Sequence, residues 1–87
     1  MKYRRFGRLE WEVSVLGFGV ERLPLIKEDE SIDMLRYAID HGVNYLDAGS
    51  SFVIKDKERL SHLLGEALQG DYREKVRIAA SLPFFLI

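Results

Sequence analysis

Tyr37-Ala38-Ile39-Asp40-His41-Gly42-Val43-Asn44-Tyr45-Leu46-Asp47-Ala48-Gly49 is the stretch that decides the fold. Its first part closes a helix. Ile32, Leu35, Ala38 and Ile39 recur on one helical face. Upstream, Glu28-Asp29-Glu30 suits the positive end of a helix dipole. His41 falls in the last turn, where it complements the dipole, and Gly42 is a natural residue just past a helix end. The second part opens a short strand, Val43 to Asp47, after a tight turn. Ala48-Gly49-Ser50-Ser51 is then a loop of small residues.

Reading outward toward the carboxyl end, Asp56 to Gln69 has the pattern of a second helix. Leu60, Leu63, Leu64, Ala67 and Leu68 form one stripe, and Gly70 can cap it. Lys75 to Ser81 shows the β-branched alternation of a strand, with Val76 and Ile78. The tail from Leu82 to Ile87 is almost wholly apolar. Toward the amino end, Lys2 to Ser14 reads as a hairpin around Gly7, with Trp11, Val13 and Val15 alternating on its second arm. The run from Val13 to Gly19 is more continuously apolar, as in a strand buried on both faces of a parallel sheet. Leu23-Pro24-Leu25 is a connector, because Pro24 has no amide hydrogen for a ladder. The order is therefore β-hairpin, then β-α-β-α-β. That is an α/β fold whose strands pair in parallel through crossovers. No repeat, low-complexity segment or linker divides residues 1–87, which read as a single domain.

Composition narrows the function classes. Apolar residues make 47% of the chain and charged residues 31%, an ordinary globular mix. The net charge of −1 argues against a general nucleic-acid binder. No apolar run approaches the ~20 residues that span a bilayer, and the first residues carry no signal-peptide core, so the expected location is the cytoplasm, with no membrane partner. The absence of cysteine excludes disulfides, thiolate catalysis and cysteine-ligated metal centres. Neither His41 nor His62 has a second ligand at metal spacing, and no metal site is expected.

Reactive groups in α/β folds collect beyond the carboxyl ends of parallel strands. That rule selects Gly17 to Arg22, Asp47 to Phe52, and Ala80 to Pro83. Asp47 is the acid that directly ends such a strand. It admits two readings: a carboxylate that tunes a proton donor or orients a ligand, and the commoner Asp that accepts hydrogen bonds from the next loop's amides. Gly17-Phe18-Gly19 lacks the third glycine of a dinucleotide loop and reads as close packing. Trp11, Tyr3 and Phe6 read as an apolar plug. No base–nucleophile pair is visible.

Three segments carry a family resemblance. KYRRFGRLEWEVSVLGFG (residues 2–19) is similar to the opening of the aldo/keto reductases. YAIDHGVNYLDAG (residues 37–49) resembles their first-helix and second-strand motif, and LLGEALQGDYREKVRIAASLP (residues 63–83) their second helix and third strand. The opening looks closest to a bacterial or archaeal branch in which GFG is followed by an RLP, here Arg22-Leu23-Pro24; some members of that branch carry a C-terminal iron–sulfur module. The resemblance implies a (β/α)₈ barrel of ~250 residues, of which 87 residues supply the first three strands, a partial barrel plugged below by the hairpin. It also implies carbonyl reduction by hydride from NADPH, with an Asp, Tyr, Lys and His as the catalytic set. The family Asp matches Asp47. The Tyr position falls on Phe52, which has no hydroxyl, and the Lys position on Ser81; the His belongs to a later strand end. The loop that touches the nicotinamide ribose would be Gly19, Val20 and Glu21, together with Asp47. The resemblance thus implies an oxidoreductase segment with one catalytic role filled, inactive by itself.

The alternative expectation is a non-catalytic interaction or oligomerisation module. Three parallel strands leave two open edges, and two helices cover one face. The other face is expected to be exposed and apolar, inviting self-association or a complementary barrel half.

Overall fold

The computed structural model describes residues 1–49 and 57–81. Phe52, the expected start of the second helix at Asp56 and the apolar tail from Leu82 lie outside the described residues. Two short strands, β1 (Tyr3–Arg5) and β2 (Glu12–Ser14), form an antiparallel hairpin with Tyr3 opposite Ser14. Then come β3 (Phe18–Gly19), a 3-10 turn (Leu23–Leu25), helix α1 (Glu28–Asp40), β4 (Tyr45–Gly49), helix α2 (Lys57–Ala67), a longer 3-10 turn (Gly70–Lys75) and β5 (Arg77–Ala80). Strands β3, β4 and β5 pair in that order, all parallel. The expected hairpin and β-α-β-α-β order, as in part of a barrel, is the observed architecture.

Helix α1 ends where its sequence dictates. Gly42 takes φ +103°, its N–H donates to the Ile39 carbonyl, and the Val43 N–H reaches back to Ala38 (3.0 Å). This is a Schellman closure, and it satisfies carbonyls that a helix end otherwise leaves unpaired. His41 stays in the last turn, its Nδ1 2.8 Å from the Tyr37 carbonyl and its ring stacked on Tyr37. At the other end, buried Ser31 donates its hydroxyl hydrogen to the Leu23 carbonyl (2.8 Å) and ties the first 3-10 turn to the helix.

Both helices lie on one side of the sheet. Leu46 and Ala48 of β4 point into that layer and are fully buried with Val20, Leu35, Leu60 and Ala67. The leucine stripe of α2 is buried as its spacing requires. Arg36 of α1 joins the helices at their far ends, donating from Nε to the Ala67 carbonyl (3.0 Å) and from Nη2 to that of Glu66 (2.9 Å). Its guanidinium also lies over the Tyr72 ring, whose hydroxyl donates to Asp40 (3.1 Å). That hydrogen bond, more than desolvation or the Asp40 charge, raises the Tyr72 pKa above the ordinary phenol value.

The middle strand, expected over Val43 to Asp47, is Tyr45–Gly49, with Ala48 and Gly49 in the strand rather than in a loop, and two further expectations about strands need correction. The run from Val13 to Gly19 is not one strand buried on both faces: β2 ends at Ser14, β3 begins at Phe18, and Val15 and Leu16 between them are exposed. The cause is a long-range polar lock. Ser14 donates its N–H to Asn44 Oδ1 (2.8 Å), its hydroxyl accepts from the Asn44 N–H (3.2 Å) and donates to the Leu16 carbonyl (2.6 Å), and Asn44 Nδ2 donates to the Glu12 carbonyl (2.8 Å). The chain is turned there whatever its hydropathy. The last strand, in turn, starts at Arg77 rather than Lys75, because Tyr72 and its partners hold Gly70–Lys75 in a 3-10 turn. Among the described residues no helix is long and apolar enough to cross a membrane.

Candidate functional site

In a parallel sheet the side chains of register partners share a face. Gly19, Asp47 and Ala79 are register partners across the three strands, on the face away from the helices. Below them on the same face, Tyr45 pairs with Arg77. The hairpin covers this lower level. Phe6 stacks on Tyr45 with ring centroids 6.3 Å apart and tilts against Trp11 at 5.5 Å. The Arg77 guanidinium sits 4.7 Å from the Trp11 ring centroid. The aromatic plug of Phe6, Trp11 and Tyr45 thus lies at the amino ends of the strands. Tyr3 stands apart from it, donating its hydroxyl hydrogen to the Gly42 carbonyl (2.8 Å). Among the described residues, the upper level of this face carries the exposed Asp47 carboxylate between two small residues.

The carboxyl ends draw the candidate residues together. The Val20 N–H donates to the Asp47 carbonyl (2.9 Å), and the Ser81 N–H donates to the Gly49 carbonyl (2.7 Å). Between Asp47 and Gly49 the register slips, so Asp47 faces Ala79 while Gly49 faces Ala80. A bulge of this kind turns a side chain away from the regular pleat. Here it brings Asp47 Oδ1 within 2.9 Å of the Gly49 N–H, which donates to it. The loop-capping reading of Asp47 is thus realised. Glu21 reaches across from the end of β3: a Cβ added to Gly49 would lie 2.6 Å from the Glu21 carboxyl carbon, so a side chain there would push that carboxylate aside. Gly49 also sits at φ +56°, a conformation that side chains disfavour.

Gly19, Glu21, Asp47 and Ser81 therefore stand around one rim, with Ser81 exposed at its edge. Val20 belongs to the rim by its backbone alone, since its side chain is fully buried in the core. Phe52 lies outside the described residues. Gly49 was passed over in the sequence as one of several small loop residues; its signal, a glycine two positions after a strand-end Asp, has meaning only once the bulge is seen. Among the described residues no group of three or more acidic or histidine side chains is gathered to hold a metal ion. Remaining His62 pairs with Glu28 (3.0 Å) on the exposed outer side of the helices.

The rim's side-chain chemistry is that of an acceptor. Two carboxylates suit hydroxyl groups, such as those of a ribose, and disfavour phosphate by like charge. Replacing Asp47 by Ala should remove the acceptor for the Gly49 N–H and cost about 0.5–1 kcal/mol of stability, whereas Asp47→Asn, which keeps an oxygen there, should cost less than about 0.5 kcal/mol. Urea titrations of the three proteins measure the difference; equal losses for both variants would show that the charge, not the hydrogen bond, matters.

A model of the Aldo/keto reductase family matches residues 15–82, from the end of the hairpin through the last strand. The match covers most of the chain and takes in every strand that contributes to the rim. By that match the chain belongs to the aldo/keto reductase family.

Proposed function

We propose that this chain is the nicotinamide-facing part of an NADPH-dependent carbonyl reductase, and that these 87 residues do not reduce carbonyls by themselves. The observation that supports the reading is the rim itself: Asp47 stands at the end of β4, beside the Gly19–Glu21 turn, and the resemblance implies that these residues are the catalytic aspartate and the ribose contacts. Glu21 and Asp47 are suited to accept hydrogen bonds from ribose hydroxyls. The proton donor is what the sequence lacks. Phe52 stands at the tyrosine position, and Ser81, in place of the lysine that tunes it, offers a hydroxyl and no charge. Loss of a general acid typically removes ~10²–10⁴-fold in rate.

The purified chain, mixed with NADPH and a panel of aldehydes, should leave the absorbance of the reduced nicotinamide unchanged. Enzyme-dependent NADPH oxidation that scales with chain concentration and disappears in Asp47→Ala would sink the proposal. Residual affinity for the cofactor should register separately, as quenching of Trp11 or a rise in melting temperature with NADPH.

A second reading, a non-catalytic interaction module, is favoured by one feature. Among the described residues, β3 and β5 each have a single sheet neighbour, so both outer edges are open. Light scattering that grows with concentration supports this reading; a monodisperse monomer at high concentration counts against self-association.

A further inference from the structure

Charge is divided along the strand axis. Residues 1–9 carry four cations, Lys2, Arg4, Arg5 and Arg8, and no acid, whereas the rest of the chain holds nine lysines and arginines and all fourteen acids. The hairpin that bears the four lies at the amino ends of β4 and β5, where Phe6 meets Tyr45 and Trp11 meets Arg77. Helix α1 starts at the opposite end, since it leads from the carboxyl end of β3 to the amino end of β4. Its first turns expose Glu28, Asp29, Glu30 and Asp33 there.

The hairpin also sorts its side chains. Tyr3 and Ser14 are register partners on the inner face, tied to Gly42 and Asn44. Arg4 and Val13, the next pair, point to the outer face by the alternation of a strand. The Val15 N–H donates to the Lys2 carbonyl (2.9 Å), which continues the ladder by one pair and sets Lys2 and Val15 on that same outer face. All four cations and Val15 are exposed, and among the described residues none of the four is paired with a carboxylate. Of the hairpin's two acids, Glu10 lies in the bend before β2, and Glu12, opposite Arg5, belongs to the inner set.

We propose that the outer face of the hairpin attaches the chain to an anionic lipid surface. The contact is peripheral and needs no spanning helix, of which there is none among the described residues. Cations gathered at one pole and acids at the other orient the molecule on a charged plane, with the hairpin toward the lipid. The rim of Gly19, Glu21, Asp47 and Ser81 then faces away from it. Val13 and Val15, short and aliphatic, lie between the cations and suit the headgroup boundary. Nucleic acid fits less well, because the hairpin's rings, Tyr3, Phe6 and Trp11, are engaged on the inner side and leave no outward platform for bases. An acidic protein fits less well too. Among the described residues no hydrogen bond holds the Lys2, Arg4 or Arg8 side chain in place, so matching a fixed pattern of carboxylates would cost their ordering, which a plane of headgroups does not demand.

The probe is a vesicle of phosphatidylcholine containing phosphatidylserine. Sedimentation should carry the chain down with the vesicles, more so as the serine lipid increases, and affinity should fall about tenfold between low and high salt. Lys2→Gln and Arg4→Gln should each weaken binding about fivefold, whereas Glu30→Gln, at the other pole, should change it by less than about twofold. Should a hairpin variant lose its circular dichroism, the salt and lipid series on the parent chain decide. Equal sedimentation with pure phosphatidylcholine vesicles, or none with the mixed ones, would overturn the proposal. Tighter binding of a thymidine oligonucleotide or of a polyglutamate peptide than of the mixed vesicles would overturn the choice of a lipid surface. No NADPH enters these assays, so their outcome is separate from that of the reductase reading.

Discussion

Leu46→Ala should leave this chain barely folded, with a loss of about 3 kcal/mol and a melting temperature lower by about 15 °C. Leu46 is fully buried at the centre of β4, with Phe18 on one side in the register and Ile78 on the other. Its side chain meets the layer formed by Leu35 of α1 and Leu60 and Leu64 of α2. Truncation removes three carbons from a place whose walls are a hydrogen-bonded ladder and two helices pinned together by Arg36, so the cavity has little freedom to collapse. The rest of the molecule gives little reserve. An 87-residue chain is held by about 4–13 kcal/mol in total, and open strand edges place this one toward the lower end. Met34→Ala, on the exposed side of α1, is the control and should change stability by less than about 0.5 kcal/mol. Thermal melts of both variants decide the matter. A Leu46→Ala protein that melts within a few degrees of the parent would mean that the layer between sheet and helices is not the one that holds the fold.

The same position shows how far the sequence speaks. Within the expected strand, Leu46 alternates with Tyr45 and Asp47, which fits its place in the core, whereas Ala48 and Gly49 read as loop residues and yet continue the alternation. Helix α1 was readable for a similar reason: its apolar period, acidic first turn and Gly42 are all local signals. Val15 and Leu16 misled because composition was the only guide there. They read as core residues, yet the turn that exposes them is made by Ser14 with Asn44, thirty residues away. The bulge after Asp47 was hidden for a related cause. It is a property of the pairing between β4 and β5, and no single strand contains it. At the rim, the acid and the neighbouring turn were therefore legible, while the placing of Glu21 over Gly49 was not.

The open face carries a second lesson. Three strands of a barrel suggest an interior lining that is apolar and hungry for cover. Here the plug covers the lower level through Phe6, Trp11, Tyr45 and Arg77, and among the described residues the level above carries a carboxylate between small residues.

Gly42→Ala should cost about 2–3 kcal/mol, nearly as much as the core truncation, although it adds only a methyl group. Two costs combine. At φ +103° the backbone lies outside the regions that a residue with a Cβ readily adopts, which costs about 1–2 kcal/mol. The new Cβ would also lie 2.8 Å from Met1 Cβ and 2.8 Å from the Tyr3 hydroxyl. That hydroxyl cannot step aside freely, because it donates to the Gly42 carbonyl and anchors β1 against the end of α1. The two costs separate in a double-mutant cycle with Tyr3→Phe. Removing the hydroxyl alone should lose about 0.5–1 kcal/mol, the worth of one exposed hydrogen bond. If the crowding is real, Gly42→Ala should then cost less in the Tyr3→Phe background than in the parent, with the backbone term of about 1–2 kcal/mol persisting in both. Strict additivity would assign the whole effect to the backbone and the Met1 contact, and a Gly42→Ala protein as stable as the parent would contradict the conformation itself. The emission of Trp11 adds a spatial check: crowding at Gly42 pushes on β1, β1 is paired with β2, and Trp11 immediately precedes β2, so a hairpin displaced at one end should expose the indole at the other.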